Sequence, residues 1–444
     1  MIRIAIPKKH LDLPSMQIGF LMVLLFAMHS PVFSQKIIGK KSVVKELKNS
    51  FLLKQSHTGL VVHDISSDQR LVDYHGGKNF TPASNVKIIT FLLTDQIIGD
   101  SLVGIKFDKR NDTLVFSGTG DPSFLHPRFK AQPVFDFLRA FEGILAYRPA
   151  RFKDKRFGPG WAWDDYPYYF QQEKSEFPIY GNSVWFTKST EASAIEILPE
   201  FFRPNTRFYD SMESQMPTRL EVHNQFQIEN APKLEEVIPF HLEDHLAIKL
   251  LEDTLQSKII ITDKTGANWN FLMSIPKDTL LKEMMVESDN FMAEQLLLQS
   301  SAVLFDTLDS NKMIDWFQEK YFTDDSNKIR WVDGSGLSRY NSMSPSFFTE
   351  ILIQIYQNND FVRIKSLFPA GGKQGTLVNF LNEEVPFIYA KSGSMTGVYN
   401  LSGYLISDKN NILAFSFMNN NFTHSIKEVK GEVERLLRTI KEKY

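Results

Sequence analysis

Ser84 and Lys87 place a hydroxyl and an amine three positions apart, behind a proline and ahead of an apolar run, in Pro82-Ala83-Ser84-Asn85-Val86-Lys87-Ile88-Ile89-Thr90. Proline suits the first turn of a helix, and residues three apart share a helix face. An amine within reach of a serine hydroxyl can take its proton and make it a nucleophile. The N-terminal end of the same helix supplies backbone N–H groups that favour developing negative charge. Two other Ser-x-x-Lys matches lack this setting. Ser42-Val43-Val44-Lys45 lies in a Lys-rich amphipathic stretch. Ser274-Ile275-Pro276-Lys277 has a proline between the partners, which works against a shared helical turn.

Two later clusters could serve such a nucleophile. Ser288-Asp289-Asn290 precedes an apolar helical run. Alone it reads as a helix N-cap, for which all three residue types are favoured. Lys391-Ser392-Gly393-Ser394 ends an apolar strand. A cation and a hydroxyl there suit a substrate carboxylate, and the glycine allows close approach of a ligand to the backbone. Lys264-Thr265-Gly266 fits the same pattern but reads as a hairpin turn and comes before Ser288. His241 and His245 are four apart on an expected helix, a spacing that can bind zinc. Their order, His-Leu-Glu-Asp-His, is not that of a metalloprotease helix, and no third ligand stands out. They are read as a helix-surface pair, and neither metal nor cofactor is expected.

The elements that must position these residues follow from composition and periodicity. The chain has 444 residues, 43% hydrophobic and 23% charged, which is globular composition for about two or three domains. A formal net charge of −2 gives no sign of a nucleic-acid partner. The absence of cysteine excludes disulfides, thiolate metal sites and a cysteine nucleophile. Residues 1–34 read as a signal peptide, with Lys8 and Lys9 ahead of a short apolar run and Ser34 before Gln35. The chain is therefore expected to be exported to the periplasm. A retained N-terminal anchor, with loose membrane association, is the alternative.

Residues 58–65 and 70–74 read as a strand hairpin ahead of the Ser84 helix, which runs to about Ile98. From Leu102 the texture changes to short strands and turns. Helices are expected at 133–145 and 240–255, and strands at 113–116, 183–187, 219–222 and 258–262. Residues 103–275 are read as an insertion, either one domain or two subdomains. After Pro276 helices are expected at 279–285, 290–304, 311–321 and 345–357, and strands at 387–391, 401–407 and 412–418. Residues 425–443 form an amphipathic helix.

Ser-x-x-Lys, Ser-x-Asn and Lys-Ser-Gly, in that order and each on the expected element, resemble the set used by penicillin-binding proteins and serine β-lactamases. The gap from Ser84 to Ser288 is about twice that from Ser288 to Lys391, too long for a compact β-lactamase. Nearly the whole chain after residue 34 resembles the class C low-molecular-mass penicillin-binding proteins. These are D-alanyl-D-alanine carboxypeptidase/endopeptidases related to penicillin-binding protein 4. Further matching stretches are Gly118-Thr119-Gly120-Asp121-Pro122, Pro159-Gly160-Trp161-Ala162-Trp163-Asp164-Asp165, Ala293-Glu294, Asp333-Gly334-Ser335-Gly336-Leu337-Ser338-Arg339 with Ser344-Pro345, Gly375-Thr376-Leu377 and Leu401-Ser402-Gly403-Tyr404. Two departures are visible: Ser392 stands where the family usually has Thr, and Glu287 where Lys or a neutral residue is more usual.

The resemblance implies an α+β fold. A penicillin-binding-protein/β-lactamase-like domain, an antiparallel sheet flanked by helices, would be discontinuous over 35–102 and 276–444, with the strand-rich insertion at 103–275. It implies Ser84 as nucleophile and Lys87 as general base, with a depressed pKa. Ser288 would relay a proton to the departing D-alanine, and Asn290 would position the substrate amide. Lys391 and Ser392 would hold the terminal carboxylate and help keep Lys87 poised, with Gly393 letting the substrate approach the backbone. The backbone N–H groups of Ser84 and Ser394 would form the oxyanion hole, and Asp165 would meet the amino end of a diaminopimelate side chain. The implied substrate is the peptidoglycan stem peptide, with β-lactams as covalent inhibitors. The alternative is a non-catalytic β-lactam- or peptidoglycan-binding protein on the same scaffold. A β-lactamase or esterase would need an extra base for deacylation, and the sequence shows none arranged for it.

Overall fold

The structure, a computed structural model, describes residues 41–192, 194–211, 218–263, 268–322 and 329–444. The expected signal peptide and the Lys264-Thr265-Gly266 turn lie outside the described residues. In chain order, α1 (Lys41–Asn49) leads to β1 (His57–Asp64), β2 (Gln69–Tyr74) and α2 (Lys87–Ile97). Next come β3 (Ser101–Arg110), β4 (Thr113–Gly118), α3 (Pro133–Arg139), β5 (Ile144–Tyr147), β6 (Ser183–Lys188) and β7 (Glu196–Leu198). They are followed by β8 (Thr206–Tyr209), β9 (Thr218–Arg219), β10 (Phe226–Glu229), β11 (Leu234–Pro239), α4 (Leu246–Leu255), β12 (Ile259–Ile261) and β13 (Asn270–Pro276). The chain then forms α5 (Lys277–Val286), α6 (Asn290–Phe305), α7 (Ser310–Tyr321), α8 (Pro345–Asn358) and α9 (Phe361–Leu367). It closes with β14 (Ile388–Met395), β15 (Val398–Ile406), β16 (Ile412–Asn420) and α10 (Ile426–Lys443).

Both ends of the described chain meet in one antiparallel sheet, ordered β14-β15-β16-β1-β2. Side chains alternate across a strand, and β16 shows what this separates. Leu413, Phe415 and Phe417 pack with Val43 and Leu47 of α1 and Val429, Val433 and Leu437 of α10. Ala414 and Met418 point the other way, into a cluster built on α2, α6 and α8. The sheet is thus a middle layer. The amphipathic last helix covers one face, held at its start by a capping box in which Ser425 and Glu428 bond each other's backbone N–H. α6 is buried on nearly all sides from Phe291 to Ser301, which suits a helix whose sequence is apolar all round.

The excursion from β3 to β13 leaves and returns on neighbouring antiparallel strands, with Ser101 paired to Pro276. It therefore begins and ends at one place beside α2 and α5. Its five-stranded sheet runs β12-β5-β4-β3-β13, with β12, β5 and β4 mutually parallel. Two three-stranded sheets, β8-β10-β9 and β11-β6-β7, complete it. One buried cluster including Phe116, Phe186 and Phe226 fills its interior.

Several details depart from the sequence reading. The helix expected over 133–145 ends at Arg139. Ile144 N donates to Asp112 O, and Leu145 and Tyr147 enter the core as a strand, so the short apolar run resolves to strand through its neighbours. The helix expected from Phe240 begins only at Leu246, because Phe240 N bonds Asn182 O and His245 takes a φ of 61°. The strand expected over 219–222 stops at Arg219, since the Leu220 and Glu221 carbonyls curl back to accept from its buried guanidinium. α9 carries too few residues for a periodic signal, and Asp360 caps it. Among the described residues no helix is long and apolar enough to cross a membrane.

Candidate active site

The segment ahead of Ser84 is tied to the sheet before it turns. Thr81 N donates to Asn420 Oδ1 at 2.7 Å, Asn400 Nδ2 to Thr81 O at 2.9 Å, and Asn85 Nδ2 to Ser402 Oγ at 2.6 Å. Ala83 takes a φ of +47° and opens a 3-10 turn, Ala83–Val86, that runs into α2 at Lys87. Ser84 therefore sits in a 3-10 turn before the α-helix, not in its first α-turn. In that geometry residues three apart eclipse, which brings Lys87 over Ser84. Lys87 Nζ lies 3.1 Å from Ser84 Oγ, to which it donates.

The Lys87 amine is fully buried and has two further acceptors, Asn290 Oδ1 at 2.6 Å and Ser335 O at 2.7 Å. Burial lowers its pKa to about 8, although Asp289, Asp333 and Glu294 pull the other way. A lysine that ordinarily holds its proton is thus brought near the range where it can act as a base. Glu294 is buried beside the same loop. Its Oε1 accepts from Ser335 N at 2.8 Å, and its Oε2 has no hydrogen-bond partner among the described residues. Burial, with repulsion from Asp333, raises the Glu294 pKa to about 7. Ionised Glu294 favours protonated Lys87, so Glu294→Gln should move the pH midpoint of kcat/KM for acylation downward. An absent or upward shift in that pH profile would remove Glu294 from control of the amine.

A cleft of about 510 Å³ opens over Ser84. Asp289 caps α6 by accepting from Met292 N, so Asn290 is held at the helix start, where its Nδ2 also donates to Phe170 O at 2.9 Å. Ser288 lies just outside that cap with a φ of +60° and lines the cleft. Among the described residues its hydroxyl makes no hydrogen bond to Lys87 or Ser84.

β14 forms the opposite wall through Ser392 and Ser394. Gly393 is needed there by the nucleophile turn itself. A Cβ on it would fall 2.6 Å from Pro82 O and 3.0 Å from Ser84 N. Lys391 is fully buried behind this wall, with Nζ donating to Ser392 O at 2.8 Å. Burial, with repulsion from Lys87, holds its pKa well below the usual lysine range.

The insertion supplies the rim. Trp161 Nε1 donates to Asp333 Oδ2 at 3.0 Å, and Ser338 Oγ to Pro159 O at 2.6 Å. Asp333 also accepts from Gly336 N, Ser338 N and Asn341 Nδ2, so one buried carboxylate joins the rim to the loop that holds Lys87. Asp165 lines the cleft from this rim. Partial burial and neighbouring Asp164 raise its pKa, while Arg339 lowers it. Arg128 also lines the cleft, 3.8 Å from Asp289 Oδ2. No motif marked Arg128 in the sequence. Glu294 stood inside a matched stretch, but nothing local indicated what it faces.

His241 and His245 do not share a helix face. His241 precedes α4 and places Nδ1 2.8 Å from Glu173 Oε1, and His245 is the left-handed residue at the helix start. The helix-surface pair is therefore corrected. The reason is that Asn224 and Glu173 bond the backbone and ring around His241 and hold the segment out of the helix.

Comparison with known proteins bears on this geometry. Residues 40–440 match the family described as D-Ala-D-Ala carboxypeptidase 3 (S13). The chain is 24% identical over 406 residues to D-alanyl-D-alanine carboxypeptidase DacB of Haemophilus influenzae, covering 81% of this chain and 84% of that protein. It is similar in fold to the crystal structure of penicillin-binding protein 4 of the same organism, with a TM-score of 0.70, 21% identity, and coverage of 90% and 98%. A predatory endopeptidase from Bdellovibrio bacteriovorus, in complex with an immunity protein, matches with a TM-score of 0.51 and 15% identity over 86% and 94%. A family match from end to end of the described chain, over a buried lysine bonded to its serine, leads to one conclusion: this chain belongs to the D-Ala-D-Ala carboxypeptidase 3 (S13) family and is a serine-type D-Ala-D-Ala carboxypeptidase/endopeptidase, a hydrolase.

Proposed function

We propose that Ser84 carries the acyl-enzyme and that the substrate is the peptidoglycan stem peptide. The observation that supports this most is the Lys87 amine, buried and shared between Ser84 Oγ, Asn290 Oδ1 and Ser335 O. Neutral Lys87 takes the Ser84 proton as Oγ attacks the penultimate D-alanine carbonyl. The oxyanion is met by the backbone N–H groups of Ser84 and Ser394. The C–N bond breaks, and the proton passes through Ser288 to the departing D-alanine amine. Asn290 positions the substrate amide. Water then cleaves the ester and returns a proton to Ser84.

Lys391 and Ser392 serve the terminal carboxylate from behind the surface that meets it, Lys391 through its charge and Ser392 through the hydroxyl it bonds. An arriving anion favours protonated Lys391, and that charge in turn disfavours protonation of Lys87. The correct substrate would thereby arm the base. Gly393 keeps the β14 wall against the nucleophile, and Asp165 meets the amino end of a diaminopimelate side chain. β-Lactams acylate Ser84 in place of the peptide. Residues 35–102 and 276–444 act as the peptidase domain, 103–275 as the insertion that shapes the rim, and 1–34 as the signal for export to the periplasm.

Labelling with a fluorescent penicillin, followed by peptide mass mapping, tests the nucleophile. Label is expected on Ser84, and Ser84→Ala should lose both label and D-alanine release, by roughly 10³-fold or more. Release that persists in Ser84→Ala would sink the assignment.

A further inference from the structure

Ser392 holds the hydroxyl position assigned to the substrate carboxylate, yet its side chain is nearly covered and its proton is already engaged. It is 5% exposed, and its Oγ donates to Thr376 Oγ1 at 2.7 Å. A hydroxyl has one proton and two lone pairs. With its proton committed to Thr376, Ser392 offers the cleft only lone pairs, which repel an anion. Thr376 accepts that bond and keeps its own proton. It is exposed and lines the same cleft as Ser84, Ser288 and Ser394. Among the described residues no acceptor is bonded to the Thr376 hydroxyl.

Thr376 is held in place. It is the middle residue of a 3-10 turn, Gly375–Leu377, whose last residue is fully buried in the cluster under α10. The chain just before it is stitched along β14, with Ala390 N donating to Pro369 O and Gly371 N to Ile388 O, both at 3.0 Å. A hydroxyl on such a turn loses little freedom when it binds.

We propose that Thr376 is a substrate-binding residue whose hydroxyl donates to the carboxylate of the leaving amino acid, with Ser392 behind it as the group that orients it. This rests on the Ser84 acyl-transfer reading above. The two hydroxyls form a relay of donors that runs outward from the buried wall, and polarisation along it strengthens the outer bond. The ligand class is an acyl-D-amino acid with a free α-carboxylate, or the matching carboxylate of the leaving residue in a cross-link. The Ser at 392 makes this arrangement more important, because it lacks the methyl group that restricts the rotamers of a Thr.

Thr376→Val keeps the shape and removes the hydroxyl. It should be compared with wild type and Thr376→Ser on a D-alanyl-D-alanine peptide with a free carboxylate and on the same peptide as its C-terminal amide. A bond from a neutral donor to a charged acceptor predicts a fall in kcat/KM of ~10- to 100-fold for the acid. The fall for the amide should be several-fold smaller, Thr376→Ser should recover most of the loss, and the thermal unfolding midpoint of Thr376→Val should stay at that of wild type. No fall on the acid would leave Ser392 as the carboxylate hydroxyl and overturn the assignment. Equal falls on acid and amide, or a lowered unfolding midpoint that accounts for the loss, would reduce Thr376 to a support for the cleft and overturn it as well. A wild-type chain that releases neither D-alanine from the acid nor D-alaninamide from the amide overturns the Ser84 reading and this assignment together, whereas the other outcomes leave the Ser84 reading standing.

Discussion

Lys87→Met is expected to lower the rate of Ser84 acylation by roughly 10³-fold, the range found when a positioned base is lost. Methionine keeps an unbranched apolar stem of similar length, so packing against the core beside α2 is largely retained. What disappears is the amine 3.1 Å from Ser84 Oγ and its bonds to Asn290 Oδ1 and Ser335 O. In the wild type the base form of Lys87 gains population as pH rises through about 8, so acylation should rise through the same range. The same shift has a stability consequence with the opposite benefit. The folded state releases the Lys87 proton near 8, while the unfolded chain keeps it to about 10.4. Between those values the unfolded state binds more protons, and stability rises with pH. Below about 8 the full cost of the buried amine is present, on the order of a few kcal/mol. Subtracting the unfolding free energy of Lys87→Met from that of wild type across pH 7 to pH 10.5 isolates this contribution. A rate that survives the substitution, or a flat difference curve, would show that Lys87 is neither the base nor strained by burial.

Gly336→Ala is expected to disable the site from the other side. Gly336 has a φ of +83°, and an added Cβ would fall 1.9 Å from Ala83 O and 2.5 Å from Ala83 C. The left-handed backbone alone costs about 1–2 kcal/mol for a residue with a Cβ. The overlap is with backbone, so the Asp333–Arg339 loop or the Ser84 turn must move. Either movement separates Ser335 O from Lys87 or Ser84 from its partners. A displacement of about 1 Å at a reacting group costs on the order of 10²-fold in rate. The expected result is a protein destabilised by roughly 3 kcal/mol or more, with acylation by penicillin reduced by about that rate factor beyond any loss of folded protein. Gly77→Ala, with nothing within 4 Å of the added atom, serves as the control and should be close to neutral. Denaturant unfolding and the rate of penicillin labelling, read on both variants, separate the two effects. If Gly336→Ala behaves like Gly77→Ala, the contact between the two loops does not hold the nucleophile.

Several features were legible because their cause is local. The distance between Ser84 and Lys87 follows from helical geometry over three residues. The last helix announces itself through an apolar stripe, and the strands 401–407 and 412–418 through buried runs; in the structure the first starts three residues earlier and ends one earlier, and the second runs on by two. Other features were illegible for an equally physical reason. Ile144 and Leu145 fit a helix or a strand equally well until β4 offers them backbone partners. His241 looked like part of a helix until Glu173 and Asn224, distant in sequence, competed for its ring and backbone.

By itself the sequence determined which chemistry was available: one serine in the right setting beside a lysine, two supporting clusters in order, and no cysteine. Only the tertiary structure decided how that chemistry is tuned. Lys87 draws its two further acceptors from 203 and 248 residues away, and burial lowers its pKa once both are in place. Glu294 meets Ser335 N, Trp161 meets Asp333, and Ser392 meets Thr376 only after α6, the rim and β14 have packed. Residue spacing sets contacts within a turn. Desolvation, and the choice of partner for each buried polar group, belong to the packed surfaces that meet across the whole chain.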